Sequence, residues 1–398
     1  MNEMRHDWLS DRWVIFAPNR TTRPDDYDRT PHIEPDAQLR CPFCRGAEHE
    51  TPNASLILPG KDWESTRSTR RRDRSISSSD WLVRVVPNKF PAVACTPSSP
   101  DWADRGMHPV IEGHQPGACS GFLDNGCMTP SENSSSPLFI KQSATGAHEV
   151  IIESPQHVPS LTSLSTEHAR WVFEAYRQRL AYWSARPEMK YAVLFKNYGA
   201  DAGATLVHSH SQLIATSFVP SEVLRIQKRL LQYQESHHQC YICSVLEREL
   251  ASGDRVVTES DHFVAICPFA SRFPYSVSIV PKKHQSRFED CHQEELADLA
   301  RVAQTMLKAI ETEHPRCAYN FVLQTSHFDQ QAPDSFHWRL KIIPRLSKVA
   351  GFEWSSDCYI NTVFPEIAAQ NLRQRIQVGT PLASPIAVAP VTNSVRKS

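Results

Sequence analysis

Two rhythms of apolar positions run along the chain. Short stretches in which apolar and β-branched residues cluster or alternate, bounded by Pro, Gly, Ser or Asn, predict strands. They fall at residues 8–17, 81–93, 146–157, 191–195, 206–215, 275–284, 319–324 and 336–343. A 3.6-residue rhythm predicts helices at 166–186, 219–239 and 293–311, and a short helix opens at Cys240. The first of these carries Trp171, Val172, Ala175, Tyr176 and Leu180 on one face, behind the capping signal S-T-E. Residues 60–79 and 94–145 show neither rhythm and are rich in Ser, Arg, Asp, Pro and Gly, so both read as insertions. From Thr380 onward Pro, Ala, Val and Ser dominate, the pattern of a mobile terminus.

The same order of patterns occurs twice. W-L-V-R-V-V-P-N-K-F-P matches H-F-V-A-I-C-P-F-A-S-R-F-P, and H-E-V-I-I-E-S-P-Q-H matches Y-S-V-S-I-V-P-K-K-H. An internal duplication follows. It predicts an α+β protein of two fused domains, 1–220 with an insertion at about 94–145, and 221–379, with a flexible tail at 380–398.

Composition narrows the class. Lys+Arg number 43 and Asp+Glu 44, a net charge of −1, so no global basic field draws the chain to nucleic acid. The basic run Arg70–Arg72 lacks interleaved aromatics and reads as a solvated loop. No uncharged run approaches the ~20 residues of a membrane span, and the N-terminus has no apolar leader core. A soluble cytoplasmic protein is expected, without nucleic-acid or membrane partners. Four of the 11 cysteines form two C-x-x-C pairs, Cys41/Cys44 and Cys240/Cys243, which in such a compartment point to metal. Each half adds two histidines in register, His157 and His208, then His284 and His337. Two thiolates with two imidazoles make a closed tetrahedral zinc set of the structural kind, so one to two Zn2+ are expected per chain.

The stretch N-Y-G-A-D-A-G-A-T-L-V-H-S-H-S-Q-L-I-A, residues 197–215, carries the candidate chemistry. On a strand over 206–215, His208, His210 and Gln212 share one side. They would stand below a glycine loop whose backbone can approach a phosphate.

H-x-H-x-Q after N-x-G-x-x-x-G resembles the active-site strand of the galactose-1-phosphate uridylyltransferase family, the transferase branch of the histidine-triad superfamily. Hydrolase members of that superfamily carry a third His where this chain has Gln212. The resemblance runs from about Trp8 to Arg375, insertions and tail apart. It implies two fused histidine-triad-like domains, each a twisted antiparallel sheet with packed helices, in a homodimer. It also implies ping-pong transfer of a uridylyl group from UDP-glucose to galactose-1-phosphate through a nucleotidyl-histidine. His210 would be the nucleophile, since neutral imidazole attacks phosphorus well and passes the group on. The carbonyl in H-S-H could hold its Nδ1 proton, and Gln212 could donate to a phosphoryl oxygen. Carried over by position, Arg20 and Arg23 would contact phosphate and Asn88 the nucleoside. Asn197, Gly203 and Thr205 would form the phosphate loop. Gly351, Phe352 and Glu353 would close over the sugar phosphate in the dimer. Arg339 stands in the second half where the nucleophile would be and cannot attack, which leaves that half as scaffold or clamp. H-S-H-S-Q and A-G-F-E also resemble the plant ADP-glucose phosphorylase branch, so an ADP-sugar phosphorylase is the alternative. A zinc-stabilised nucleotide-binding module without turnover is the alternative of another class.

Overall fold

The computed structural model describes residues 2–22, 41–59, 81–94, 138–139, 143–328 and 334–379. Strands β1 (Glu3–Asp7), β2 (Arg12–Phe16) and β13 (Tyr359–Asn361) form a small sheet, β13 running parallel to β2. Everything else is built on one ten-stranded antiparallel sheet. The first half supplies β3 (Leu56–Pro59), β4 (Trp81–Pro87), β5 (Gly146–Ile152), β6 (Tyr191–Tyr198) and β7 (His210–Thr216). The second supplies β8 (Val256–Glu259), β9 (Phe263–Ile266), β10 (Val277–Pro281), β11 (Tyr319–Gln324) and β12 (Arg339–Pro344).

Strand order is β3-β4-β5-β7-β6-β11-β12-β10-β9-β8. From either edge inward the two halves follow the same sequence of equivalent strands and meet at the seam β6–β11. There Asn197 lies opposite Asn320, and Tyr198 opposite Tyr319, with the tyrosine rings stacked at 4.6 Å. The mixed α+β class agrees with the expectation, but the halves do not form separate sheets. Edge pairing satisfies the backbone of both innermost strands, which would otherwise be exposed.

Helix α1 (Thr166–Ser184) starts where Ser165 Oγ accepts from His168 N at 3.2 Å. Its buried stripe Val172, Phe173, Tyr176, Leu180 and Trp183 has helical spacing. Helix α4 (Gln293–Glu313) presents Leu296, Leu299, Ala303, Met306, Leu307 and Ile310 in the same way. The two pack together over the sheet, buried side chains of this size each contributing about 1.5–3 kcal/mol. Gln304 ties the layer across the halves, accepting from Thr166 Oγ1 and donating to the carbonyls of Leu161 and Leu164, each at 2.9 Å. The other helices are α2 (Ser221–His237), α3 (Tyr241–Ser252), α5 (Gly351–Ser356) and α6 (Pro365–Gly379). No helix among the described residues is long and apolar enough to cross a membrane.

Three expected strands are corrected. Residues 8–17 are not one strand but the turn and second arm of the β1–β2 hairpin. Asp7 accepts from Leu9 N at 3.2 Å and from Ser10 Oγ at 2.5 Å, and Asp11 takes a left-handed φ of 57°. The strands expected from 206 and 336 begin at His210 and Arg339. In both cases a histidine, His208 or His337, leaves the strand direction to meet the cysteine pair. The insertions fall largely outside the described residues, as do the tail and Arg23.

Candidate active site and metal centres

Each half gathers its four metal-candidate side chains. Cys41, Cys44, His157 and His208 have ligand atoms within 4.8 Å of one another, and so do Cys240, Cys243, His284 and His337. In the first group Cys44 Sγ stands 3.4 Å from His157 Nδ1 and 3.6 Å from His208 Nδ1, and Cys41 Sγ 3.5 Å from His208 Nδ1. In the second, Cys243 Sγ is 3.4 Å from Nδ1 of both His284 and His337. Backbone geometry explains the convergence: Cys44 N donates to Cys41 O, a knuckle turn that brings the two thiols to one side.

The residues fit a metal ion. His208 Nε2–H donates to Ser154 O at 2.8 Å, which fixes the ring and points the Nδ1 lone pair at the thiols. Burial pushes His208 down to about 4, so it stays neutral, the ligating form. Burial and the neighbouring Cys41 push the Cys44 thiol up to about 11, a cost that a cation would relieve. In the second group the Cys243 hydrogen bond, with help from His284 and His337, draws Cys240 far below the ordinary thiol range. His284 Nε2 and His337 Nε2 are buried without a partner, so those rings are oriented by packing and by their Nδ1 contacts to Cys243.

Two residues beyond His208, His210 opens β7. Its Nδ1–H donates to His208 O at 2.7 Å, which leaves Nε2 with the lone pair. Burial pushes its pKa below the ordinary histidine range, so the ring is neutral at neutral pH. Phe43, inside C-P-F-C, meets the His210 ring edge-on at 5.3 Å and links the knuckle to the site. A neutral imidazole with a directed lone pair can attack an electrophilic phosphorus.

Gln212 follows on the same face of β7. Its Oε1 lies 2.9 Å from His148 Nε2 on β5, whose other ring nitrogen accepts from Ala92 N at 3.2 Å. Asn88 sits at the same ring, Nδ2 at 3.1 Å from His148 Nε2, with its Oδ1 accepting from Phe90 N at 2.9 Å. Two expected residues, Asn88 and Gln212, thus meet at one that sequence reasoning missed.

Asn197 belongs to the end of β6, not to the loop. Its Oδ1 accepts from Asn320 Nδ2 at 2.8 Å, and the same amide reaches Ala202 O at 2.9 Å. Asn320 comes from the second half and holds both ends of the loop. Gly199 and Gly203 take φ of 79° and 88°, a region that favours glycine. Thr205 is exposed just beyond, and Arg20 is exposed in the 3-10 turn Pro18–Thr22. Gly351, Phe352 and Glu353 start α5. Glu353 accepts from Ala350 N at 3.0 Å, and none of the three bonds to His210, Gln212 or His148.

A charged network lies under the site, and this too was missed. Lys196, on β6, reaches Glu153 Oε2 at 2.7 Å, Ser209 Oγ at 2.9 Å and His210 O at 3.0 Å. Glu153 also accepts from Ser209 Oγ, Ser211 Oγ and Tyr176 OH at 2.6, 2.5 and 2.7 Å. Burial alone would raise Glu153, but the Lys196 ammonium and the hydroxyl donors hold its carboxyl down to about 2. A lysine inside Y-A-V-L-F-K-N-Y and a glutamate after V-I-I were the available signals, because charges in apolar runs must be paired once buried.

Residues 141–383 match a family model described as Domain of unknown function (DUF4921). The chain is 31% identical over 376 residues to the ADP-glucose phosphorylase of Arabidopsis thaliana, covering 94% of this chain and 92% of that protein. It is 25% identical over 384 residues to the galactose-1-phosphate uridylyltransferase of Thermotoga maritima, covering 94% and 98%. The crystal structure of the Arabidopsis thaliana ADP-glucose phosphorylase with bound ADP-glucose is similar with a TM-score of 0.71 at 30% identity. It covers 94% of this chain and 98% of that one.

Proposed function

The chain belongs to the galactose-1-phosphate uridylyltransferase family, and from that membership we propose a nucleotidyltransferase working through His210. In the first half-reaction Nε2 of His210 attacks the α-phosphorus of UDP-glucose. The bond to the bridging oxygen breaks, and glucose-1-phosphate leaves. In the second, a phosphate oxygen of galactose-1-phosphate attacks the same phosphorus, the P–N bond breaks, and UDP-galactose leaves. Gln212 donates to a non-bridging oxygen of the transferring group. Asn88 serves the nucleoside, and Asn197, Gly203 and Thr205 the phosphates, which Arg20 and Arg23 also contact. The hydrogen bond of His210 Nδ1 to His208 O carries this reading, because it frees Nε2 for attack.

Both Cys2His2 groups are read as structural zinc sites, one to two ions per chain, which would pin the knuckles and supply no step of the transfer. A homodimer is proposed, Gly351, Phe352 and Glu353 reaching the sugar phosphate of the other subunit. The exposure of Phe352 and Trp354, 47% and 79%, supports it. The eight described cysteines are all free, which supports a reducing, cytoplasmic setting.

ADP-glucose phosphorolysis, with inorganic phosphate as acceptor, is a second reading. The 31% identity to the Arabidopsis thaliana enzyme favours it. One experiment addresses both. UDP-glucose or ADP-glucose, given alone, should leave a nucleotidyl adduct on His210, detected by mass spectrometry with one glucose-1-phosphate released per site. Each is then chased with galactose-1-phosphate and with phosphate. A productive chase from UDP-glucose to galactose-1-phosphate supports the first reading, and one from ADP-glucose to phosphate the second. Turnover with no adduct at any time would refute His210 as nucleophile.

A further inference from the structure

His148 lies on the strand beside β7, bonds to the candidate residues Asn88 and Gln212, and has a proton whose place can be deduced. The backbone N–H of Ala92 can only donate, and it points at His148 Nδ1 from 3.2 Å. Nδ1 is therefore the acceptor nitrogen, and the proton of the neutral ring sits on Nε2. Burial favours that neutral form. Nε2–H must then find an acceptor, and Gln212 Oε1 stands 2.9 Å away. Once its oxygen is engaged there, the Gln212 amide has one orientation, with the NH2 group turned away from the His148 ring.

The same ring acts on Asn88. Its Oδ1 is taken by Phe90 N at 2.9 Å, so the atom near His148 Nε2, at 3.1 Å, is the NH2 nitrogen. A protonated Nε2 cannot accept from it. The Asn88 NH2 hydrogens, fixed in the plane of an amide whose oxygen Phe90 N holds, do not have the ring as acceptor and stay available as donors. The main chain reinforces this placement, since Asn88 N donates to His148 O at 2.8 Å. We infer that His148 is a positioning residue whose fixed tautomer presents the amide donor of Gln212 to the transferring phosphate and leaves that of Asn88 to the nucleoside of the bound nucleotide. This rests on the nucleotidyl-transfer reading above. The cost of a mis-turned amide is specific: a carbonyl oxygen would face a phosphoryl oxygen where a donor is needed.

The test measures single-turnover adduct formation at His210, with substrate affinity read from its concentration dependence. His148→Phe removes both ring hydrogen bonds at similar volume, and adduct formation should slow by about 10- to 100-fold, the range typical of lost outer-sphere partners. The substrate concentration at half-maximal rate should change far less. His148→Gln puts an amide N–H near the position of Nε2–H and should restore most of the rate. His148→Asn can still accept from Ala92 but cannot reach Gln212, and should not. In a Gln212→Ala background His148→Phe should add under about twofold, as for residues acting through one another. A wild-type rate in folded His148→Phe, or equal rates in the Gln and Asn variants, would overturn the inference. So would fully multiplicative effects with Gln212→Ala. Each of these can occur while wild-type protein still forms the adduct, so failure of the inference is distinct from failure of the transfer reading.

Discussion

Lys196 and Glu153 lie at the bottom of the site, 1% and 0% exposed, and neither charge has a route to water. An ammonium here is held by a carboxylate, a serine hydroxyl and the His210 carbonyl, so the backbone at the proposed nucleophile is tethered to the pair. Lys196→Met leaves Glu153 with its three hydroxyl donors but no cation. The expected loss is about 3–5 kcal/mol at neutral pH, the usual result of breaking a buried pair from one side. The pH dependence follows from Glu153. Its folded pKa lies at about 2, below the ordinary ~4.3 of a free glutamate, so its stabilisation is complete above the free value and is lost as pH falls toward 2. In the variant the same burial favours a protonated carboxyl. The gap between wild type and Lys196→Met, measured by denaturant unfolding, should therefore narrow from pH 7 to pH 4.5. A gap that is constant or widens in acid would show that Glu153 is not the group responsible.

At the scale of elements, the glycine loop between β6 and β7 leaves little room for a side chain at its first glycine. Gly199 has φ of 79°, and a Cβ there would stand 2.8 Å from Ala318 Cβ across the seam, closer than packed carbons approach. Gly199→Ala should cost about 1–3 kcal/mol from backbone strain alone and slow adduct formation, with Gly46→Ala as control. Gly46 also has positive φ, 90°, but open space around it. If Gly199→Ala is no worse than Gly46→Ala in both stability and adduct rate, the close approach to Ala318 is not what constrains the loop. This region also shows what the sequence could and could not display. The repeat of two cysteines and two histidines was legible from spacing, and the structure brings both sets together. The start of β7 was not. Leu206 and Val207 read as strand by their apolar character, yet Val207 is 40% exposed and the chain turns to aim His208 at the thiols. Phe336 and Trp338 misled in the same way before Arg339. His148 was unreadable for another reason: its partners lie 60 and 64 positions away, and only strand pairing brings them to one ring.

For the whole molecule, the duplication was visible but the manner of joining was not. Two copies of a pattern say nothing of which edges meet, and the β6–β11 pairing turns two five-stranded units into one sheet. Contacts across the seam are polar as well as apolar. Asn320 holds Asn197, Ser160 and Thr162 donate to Glu311 at 2.9 Å, and Gln304 bonds to three partners in the first half. The second half therefore supports the first through hydrogen bonds that separate domains would lack. A chain of two halves would ordinarily be allowed to unfold in two steps. Here the innermost strands would expose unpaired backbone if either half opened alone, and α1 and α4 would lose a shared apolar face. A single cooperative thermal transition is the expected outcome. Loss of metal in either half should lower that one midpoint, so Cys41→Ser and Cys243→Ser should each reduce zinc content by about one equivalent, as judged by metal analysis after denaturation, and shift the same transition. Calorimetry decides the matter. Two resolved transitions, with Cys41→Ser moving only one and Cys243→Ser only the other, would mean that the halves are energetically independent and that the seam is a contact without mutual support.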